Sequence, residues 1–285
     1  MDFQYTFAII GGDKRQRVVA DFLLSKGAKI IAYGADIDKK QGVSFAESGV
    51  CAAELADIIV LPLPSFTEDL KIRNSGGVSF SELAQAAPSA LFMAGIAQPA
   101  ESEAASRGIK LIDYYENKKL LLRNAIATAE AAVMLAISGR ERTLMGSRIL
   151  ITGYGRIAKQ LSKILSEFGA CVTVAVRSDS QKREAAQYSS VKDIYDMDEI
   201  LSSQDIIFNT VPSPVLSKKQ LDLISDQALL IELASATFGI DLAYAKEKGL
   251  NVNLAQSLPG KISPASAGEA IGEAIFDILK ERYGR

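Results

Sequence analysis

The 285-residue sequence contains no histidine. That absence removes imidazole general bases, serine or cysteine triads built on one, and most zinc sites together. Cysteine is nearly as scarce. Cys51 and Cys171 each sit in an apolar neighbourhood, which reads as core packing in a reducing compartment rather than as a disulfide, and no metal is expected. Charge of one sign is not in excess either: 32 Lys and Arg stand against 34 Asp and Glu, for a net charge of −2. That balance argues against a nucleic-acid or anionic-membrane partner. No apolar run approaches the ~18 residues of a membrane span, and residues 1–12 pass into a strand pattern without a basic leader, so a cytoplasmic location is expected. What remains is an ordinary globular composition, 48% apolar and 23% charged, on a chain long enough for two domains.

The most informative stretch is Arg148 to Ser178. Ile149, Leu150 and Ile151 form a short apolar run ending in Gly153-Tyr154-Gly155-Arg156-Ile157-Ala158, after which Leu161, Ile164, Leu165 and Phe168 recur at helical spacing. A strand, a GxGxxA turn and a helix in that order predict a Rossmann unit, with pyrophosphate on the helix N-terminus. Cys171 to Val176 is the second strand. Where an acidic residue would hold a ribose 2′-hydroxyl, the chain has Arg177-Ser178 with Lys182 and Arg183 behind them. A cationic tip favours a 2′-phosphate, hence NADP, with NAD as the alternative.

Strands predicted at 7–10, 29–33, 58–61, 91–94 and 109–112 alternate with helices, implying parallel βαβ units. The expected fold class is therefore α/β, with two Rossmann-like parallel-sheet domains and a cleft between them. Residues 1–118 form the first domain and bind substrate, 119–145 a linking spine helix, and 146–263 the dinucleotide domain. A final helix over 264–285 packs back on the first domain. Residues 34–54 have a poor pattern and read as loops with short elements, and 258–261 reads as a loop. Further strands are expected at 206–211, 228–233 and 251–254; Thr210, Val211 and Pro212 at the end of the first of these join the cofactor set.

Candidate substrate residues cluster in Gly11-Gly12-Asp13-Lys14-Arg15-Gln16. Its glycines would expose N–H groups at a helix start, and Lys14 or Arg15 would add charge for a carboxylate; a solvated surface turn is the alternative. Ala97 and Ser235, just past strand ends, complete the substrate-binding set. On the spine helix Asn124 and Thr128 share a face at i,i+4, either for a ligand or as a buried interhelical hydrogen-bonding pair. Glu130 reads as a general base or an exposed carboxylate, and Lys261 as a contact to a substrate carboxylate or a solvated lysine.

GGDKRQ at Gly11 to Gln16, AGIA at Ala94 to Ala97, NAIATAEAAVMLAI at Asn124 to Ile137, GYGRIA at Gly153 to Ala158, NTVPS at Asn209 to Ser213, ELAS at Glu232 to Ser235 and SLPGKISPASAG at Ser257 to Gly268 follow one another in the chain. In that order they resemble the A-subunit family of dipicolinate synthases over almost the whole length. The sequence departs from the family pattern at Thr237-Phe238, where a Pro-Gly pair is usual, and at Ala127 and Ala131. The resemblance implies NAD(P)-linked oxidation of a dihydrodipicolinate-type intermediate, on a branch of the lysine pathway, to pyridine-2,6-dicarboxylate during sporulation. It also implies a small dicarboxylate substrate and a partner, the flavoprotein-like B subunit of dipicolinate synthase. An oligomer of identical chains is compatible with it. Two alternatives stay open: a related dehydrogenase of the shikimate or 2-hydroxy-acid type, and a nucleotide-binding sensor or scaffold without turnover.

Overall fold

In a computed structural model, which describes residues 5–235 and 237–283, every strand pairing is parallel. The chain divides into two compact units: unit 1 is Met1–Asn124 with Ser263–Arg285, and unit 2 is Ala125–Ile262. Unit 1 carries β1 (Thr6–Ile10), β2 (Lys29–Tyr33), β3 (Val43–Phe45), β4 (Ile58–Val60), β5 (Leu91–Ala94) and β6 (Lys110–Asp113), in the order β3-β2-β1-β4-β5-β6. Unit 2 carries β7 (Arg148–Thr152), β8 (Cys171–Val176), β9 (Ser190–Asp193), β10 (Ile206–Asn209), β11 (Leu229–Glu232) and β12 (Asn251–Leu254), in the order β12-β11-β10-β7-β8-β9. Each is the doubly wound dinucleotide-fold order, with its switch point beside the first strand of the sheet. Helices cover both faces, and so the central strands β4, β5, β10 and β11 are wholly buried and run apolar without alternation, up to Asn209 and Glu232 at the ends of β10 and β11.

The helices in chain order are α1 (Arg15–Ser25), α2 (Gly49–Glu54), α3 (Phe80–Ala86), α4 (Glu101–Arg107), α5 (Lys118–Ser138), α6 (Arg156–Glu167), α7 (Asp179–Ala185), α8 (Lys218–Asp222), α9 (Leu242–Glu247), α10 (Leu258–Ile262) and α11 (Pro264–Tyr283). Local chemistry sets several ends. Ser79 and Glu82 form a reciprocal capping box on α3, and Asp241 caps α9. The amphipathic α6 buries Ala158, Leu161, Ser162 and Leu165 on one stripe.

The final helix belongs to unit 1 by contact. Cβ atoms on Gly268 and Gly272 of α11 would stand 2.6 Å from Val18 Cβ and 2.8 Å from the Phe22 ring. Two glycines one turn apart thus let α1 approach closely. On another side of α11, Arg123 pairs with Glu273 at 2.6 Å and Lys119 with Asp277 at 2.8 Å. The start of α5 is therefore held in unit 1, with Leu120 in its core, whereas Ala129 to Ala136 join the core of unit 2.

Several expectations are corrected. Cys51 and Cys171 are both exposed: Cys51 lies on the solvent side of α2, whose buried residues are Gly49, Ala52 and Ala53, and Cys171 opens β8 at its exposed end. Segment 258–261 is the short helix α10, since Pro259 is tolerated in a first helical turn. Residues 34–54 do hold loops with short elements, β3 and α2. The strand expected over 206–211 stops at Asn209, whose side chain bonds both backbone groups of Val211 and turns the chain. In addition, α5 is long and apolar enough to cross a membrane by length and composition, although half of its apolar window is buried within the protein.

Candidate cofactor and substrate sites

β7 delivers the chain to Gly153, whose φ of +83° lies in the left-handed region. A Cβ there would stand 2.8 Å from Val211 Cγ2 and 2.9 Å from Thr210 Oγ1, so glycine alone fits. Gly155 differs: a Cβ on it would meet nothing within 4 Å. It fronts a cavity of about 610 Å³ lined by Gly153, Tyr154, Arg177, Tyr195, Thr210 and Val211 among others. Gly155 is also the N-cap of α6, which has no side-chain cap and no acidic residue in its first turn, formed by Arg156 and Ile157. Its leading N–H groups and dipole are thereby left for an anion, which suits the pyrophosphate of a dinucleotide.

Arg177 follows β8, lines the same cavity, and has no ion pair among the described residues. Ser178 precedes α7, its Oγ 2.8 Å from Ser180 Oγ. Lys182 is otherwise engaged: its Nζ lies 2.7 Å from Asp193 and 3.4 Å from Asp179. The Asp193 hydrogen bond raises the Lys182 pKa and lowers that of Asp193 in return. Thr210 donates to the Thr152 carbonyl at 2.7 Å, which fixes the floor of the cavity. One wall escaped the sequence reading. The 3-10 helix Ile194–Ser203 supplies Ile194, Tyr195, Met197 and Asp198, and its polar-rich sequence fits neither helical nor strand period. The one available signal was Asp193, which caps it by accepting from the Tyr195 N–H at 3.0 Å.

Behind this cavity the ends of three strands are joined by buried side chains. Thr152, Asn209 and Glu232 are register neighbours on β7, β10 and β11. Thr152 donates to Asn209 Oδ1 at 2.6 Å, and Asn209 Nδ2 to Glu232 Oε1 at 2.6 Å. Glu232 further accepts the N–H groups of Ala234, Gly239 and Ile240 at 2.9, 3.0 and 2.9 Å. Its burial pushes the carboxyl pKa up, and the four donors pull against that shift. Four donors and no acceptor partner mark it as a carboxylate. It thereby fixes both sides of the loop bearing exposed Ser235; Ala236 in that loop lies outside the described residues.

In unit 1 the strand-end loops are braced by their own groups. Gly11 N donates to the Tyr33 carbonyl at 2.8 Å and Gly12 N to that of Arg73 at 2.9 Å. The expectation that these glycines offer free N–H groups is therefore corrected: the turn spends both on neighbouring backbone. Arg15, 6% exposed, is likewise committed. Its Nε and Nη2 reach Asp13 at 2.9 and 2.7 Å, and Nη2 also donates to the Leu63 carbonyl. Burial opposes the Asp13 charge, yet the Arg15 hydrogen bonds and charge prevail and hold its carboxyl below the usual range. Lys14 is exposed. At the end of β6, Asp113 accepts from Ile96 and Ala97 at 3.1 and 2.7 Å. It holds Ile96 at a φ of +62°.

On α5, Asn124 donates to the Tyr115 hydroxyl at 3.2 Å. Thr128 is buried, Glu130 is exposed, and Lys261 lies exposed on α10. Among the described residues no group of three or more Asp, Glu or Cys could hold a metal.

Residues 6–115 match the N-terminal domain of the dipicolinate synthase A subunit, and residues 123–239 match the NAD-binding domain of D-isomer specific 2-hydroxyacid dehydrogenases. The dipicolinate synthase A subunit of Bacillus subtilis (strain 168) is 28% identical over 283 residues, covering 96% of this chain and 95% of that one. Over nearly its whole length the chain is similar to the A subunits of dipicolinate synthases. Two solved structures agree with this. The A subunit from Bacillus halodurans has a TM-score of 0.88 at 26% identity, over 96% of this chain and 97% of that one. Its counterpart from Bacillus subtilis has 0.87 at 27%, over 99% and 97%. A transhydrogenase from Sinorhizobium meliloti, at a TM-score of 0.72 and 16% identity over 97% and 94% of the two chains, shares the fold. Unit 2 is thus a nicotinamide-dinucleotide domain of the oxidoreductase type.

Proposed function

We propose that the chain is the catalytic A subunit of a dipicolinate synthase, oxidising a dihydrodipicolinate-type intermediate to pyridine-2,6-dicarboxylate with NADP as hydride acceptor. NADP supplies the two-electron sink when bound, and the ring becomes aromatic as one hydride and one proton leave it. Gly155 and the uncapped first turn of α6 would hold the pyrophosphate, and Arg177 with Ser178 the 2′-phosphate. The observation that carries the cofactor reading is the Arg177 guanidinium, which lines the cavity without a carboxylate partner among the described residues.

For substrate, the proposal retains Gly12, Lys14, Ala97 and Ser235 as binding positions. It keeps Asn124 and Thr128, one turn apart on α5, as polar groups near the reacting ring, and Lys261 as a second cation for a carboxylate. Asp13 and Arg15 serve as a brace for the loop. Glu130, on the exposed side of α5, is a general base only if substrate reaches that face. A cytoplasmic location, a role in sporulation and a flavoprotein-like partner, the synthase's B subunit, belong to the same reading.

Incubation of the purified chain, alone and with a B-type flavoprotein, with NADP and freshly formed cyclic dihydrodicarboxylate tests it. Appearance of pyridine ultraviolet absorbance at the rate of NADPH formation is expected. NADPH formation from 2-hydroxy acids instead would favour the second reading, a 2-hydroxy-acid dehydrogenase, to which the match over residues 123–239 lends weight. Cofactor binding without product under all conditions would leave the sensor or scaffold reading.

A further inference from the structure

The loop from Gly11 to Gln16 has spent its evident donors internally. Gly11 N, Gly12 N and Gln16 N serve neighbouring carbonyls, while Arg15 N and its guanidinium serve Asp13 and Leu63. One buried side-chain donor is left over. Gln16 is 1% exposed, and its Nε2 is a buried side-chain nitrogen without a hydrogen-bond partner. Among the described residues only Gln204 Oε1 shares that condition.

The side chain does not run out along α1. Its Cγ and Cδ lie 2.3 and 2.9 Å from the point a Cβ on Gly12 would occupy, with Pro62 Cβ 3.2 Å from the same point. The carboxamide is therefore folded back over Gly12, toward the end of α1 at which the strand-end loops meet. That end is the N-terminus of an 11-residue helix, where Lys14 supplies no side-chain cap and the Asp13 carboxylate accepts the Arg15 N–H at 3.0 Å. An amide buried without a partner forfeits a hydrogen bond that water would have supplied. Methionine would fill the same volume without that loss.

We infer that Gln16 is a substrate-binding residue, whose Nε2 donates to a carboxylate oxygen of the dicarboxylate as it settles over Gly12. The absence of a side chain at Gly12 serves this arrangement by admitting the Gln16 carboxamide. This inference rests on the dicarboxylate reading above.

The test uses the full chain and pyridine-2,6-dicarboxylate as the probe, with affinities from isothermal titration, NADPH affinity from fluorescence, and thermal unfolding of each protein. Gln16→Met is expected to weaken the dicarboxylate at least tenfold, leave NADPH within twofold, and unfold at the same temperature as the parent or higher. Gln16→Glu, equal in size but unable to donate at neutral pH, is expected to weaken it further. A parent that binds the acid, with a Gln16→Met variant that binds it equally well, overturns the inference alone. A Gln16→Met variant that unfolds earlier, beside a Gln16→Glu variant that keeps parental affinity for the acid, overturns it in favour of a structural role. A parent that neither binds nor forms the acid overturns the dicarboxylate reading, and this inference with it.

Discussion

Asn209 donates its side-chain amide to the fully buried Glu232 carboxylate at 2.6 Å, so the ends of β10 and β11 are joined through side chains as well as through the sheet ladder. Replacing Glu232 by Gln keeps the volume but turns an NH2 toward groups that already donate. A loss of about 3 kcal/mol in unfolding free energy, read from urea titration, is expected for removing charged hydrogen bonds from a buried site. Cofactor affinity should fall as well, because Asn209 positions Val211 in the cavity wall.

Arg177 and Lys182 should behave differently although both lie at the same tip. Arg177→Asp is expected to lower kcat/KM for NADP by about 10- to 100-fold, the size of a lost charged hydrogen bond, and to leave NAD unchanged or improved. Lys182→Ala should lower stability slightly and change cofactor choice little, since its ammonium is occupied by Asp193. Steady-state kinetics with both cofactors on the two variants checks this.

The Asp13–Arg15 pair makes a pH-dependent contribution. Asp13 has a folded-state pKa below its unfolded value, so its stabilisation is present above the unfolded pKa and disappears as pH falls through the folded one. Asp13→Asn should cost about 2 kcal/mol at pH 7, less than breaking a fully buried pair because Asp13 is partly in water. Denaturation curves of the parent and variant should converge in acid, below the usual carboxylate range.

Ile96 is β-branched and sits at a φ of +62°, held by Asp113 through its own N–H and that of Ala97. Such a conformation costs roughly 1–2 kcal/mol for a non-glycine residue. Ile96→Gly should raise the thermal midpoint modestly, about 0.5 kcal/mol net of the added chain entropy, while lowering activity if the loop shape serves substrate. Calorimetry and turnover measured on one preparation separate the two effects.

Much of this architecture is legible in the sequence because short apolar or β-branched runs separated by helical patterns have one economical reading in an α/β chain. Leu91–Ala94, Cys171–Val176 and Asn251–Leu254 stand where their patterns put them. The cavity's far wall is not legible, because a 3-10 helix lacks the 3.6-residue period that a hydrophobic pattern reveals. Nor does the sequence say that Arg15 turns inward. A basic residue beside an aspartate reads equally as ligand or brace until the Leu63 carbonyl is seen against its guanidinium. Cys51 and Cys171 defeat the composition argument for a related reason, since flanking apolarity does not tell which side of a short helix or which end of a strand faces water.

Those two thiols have a practical side. One exposed sulfur lies in unit 1 and the other in unit 2, and the chain has no third. A maleimide donor and acceptor pair will therefore label each unit once on the native sequence. Energy transfer between them can then report in solution on the distance separating the units as NADP and dicarboxylate are added.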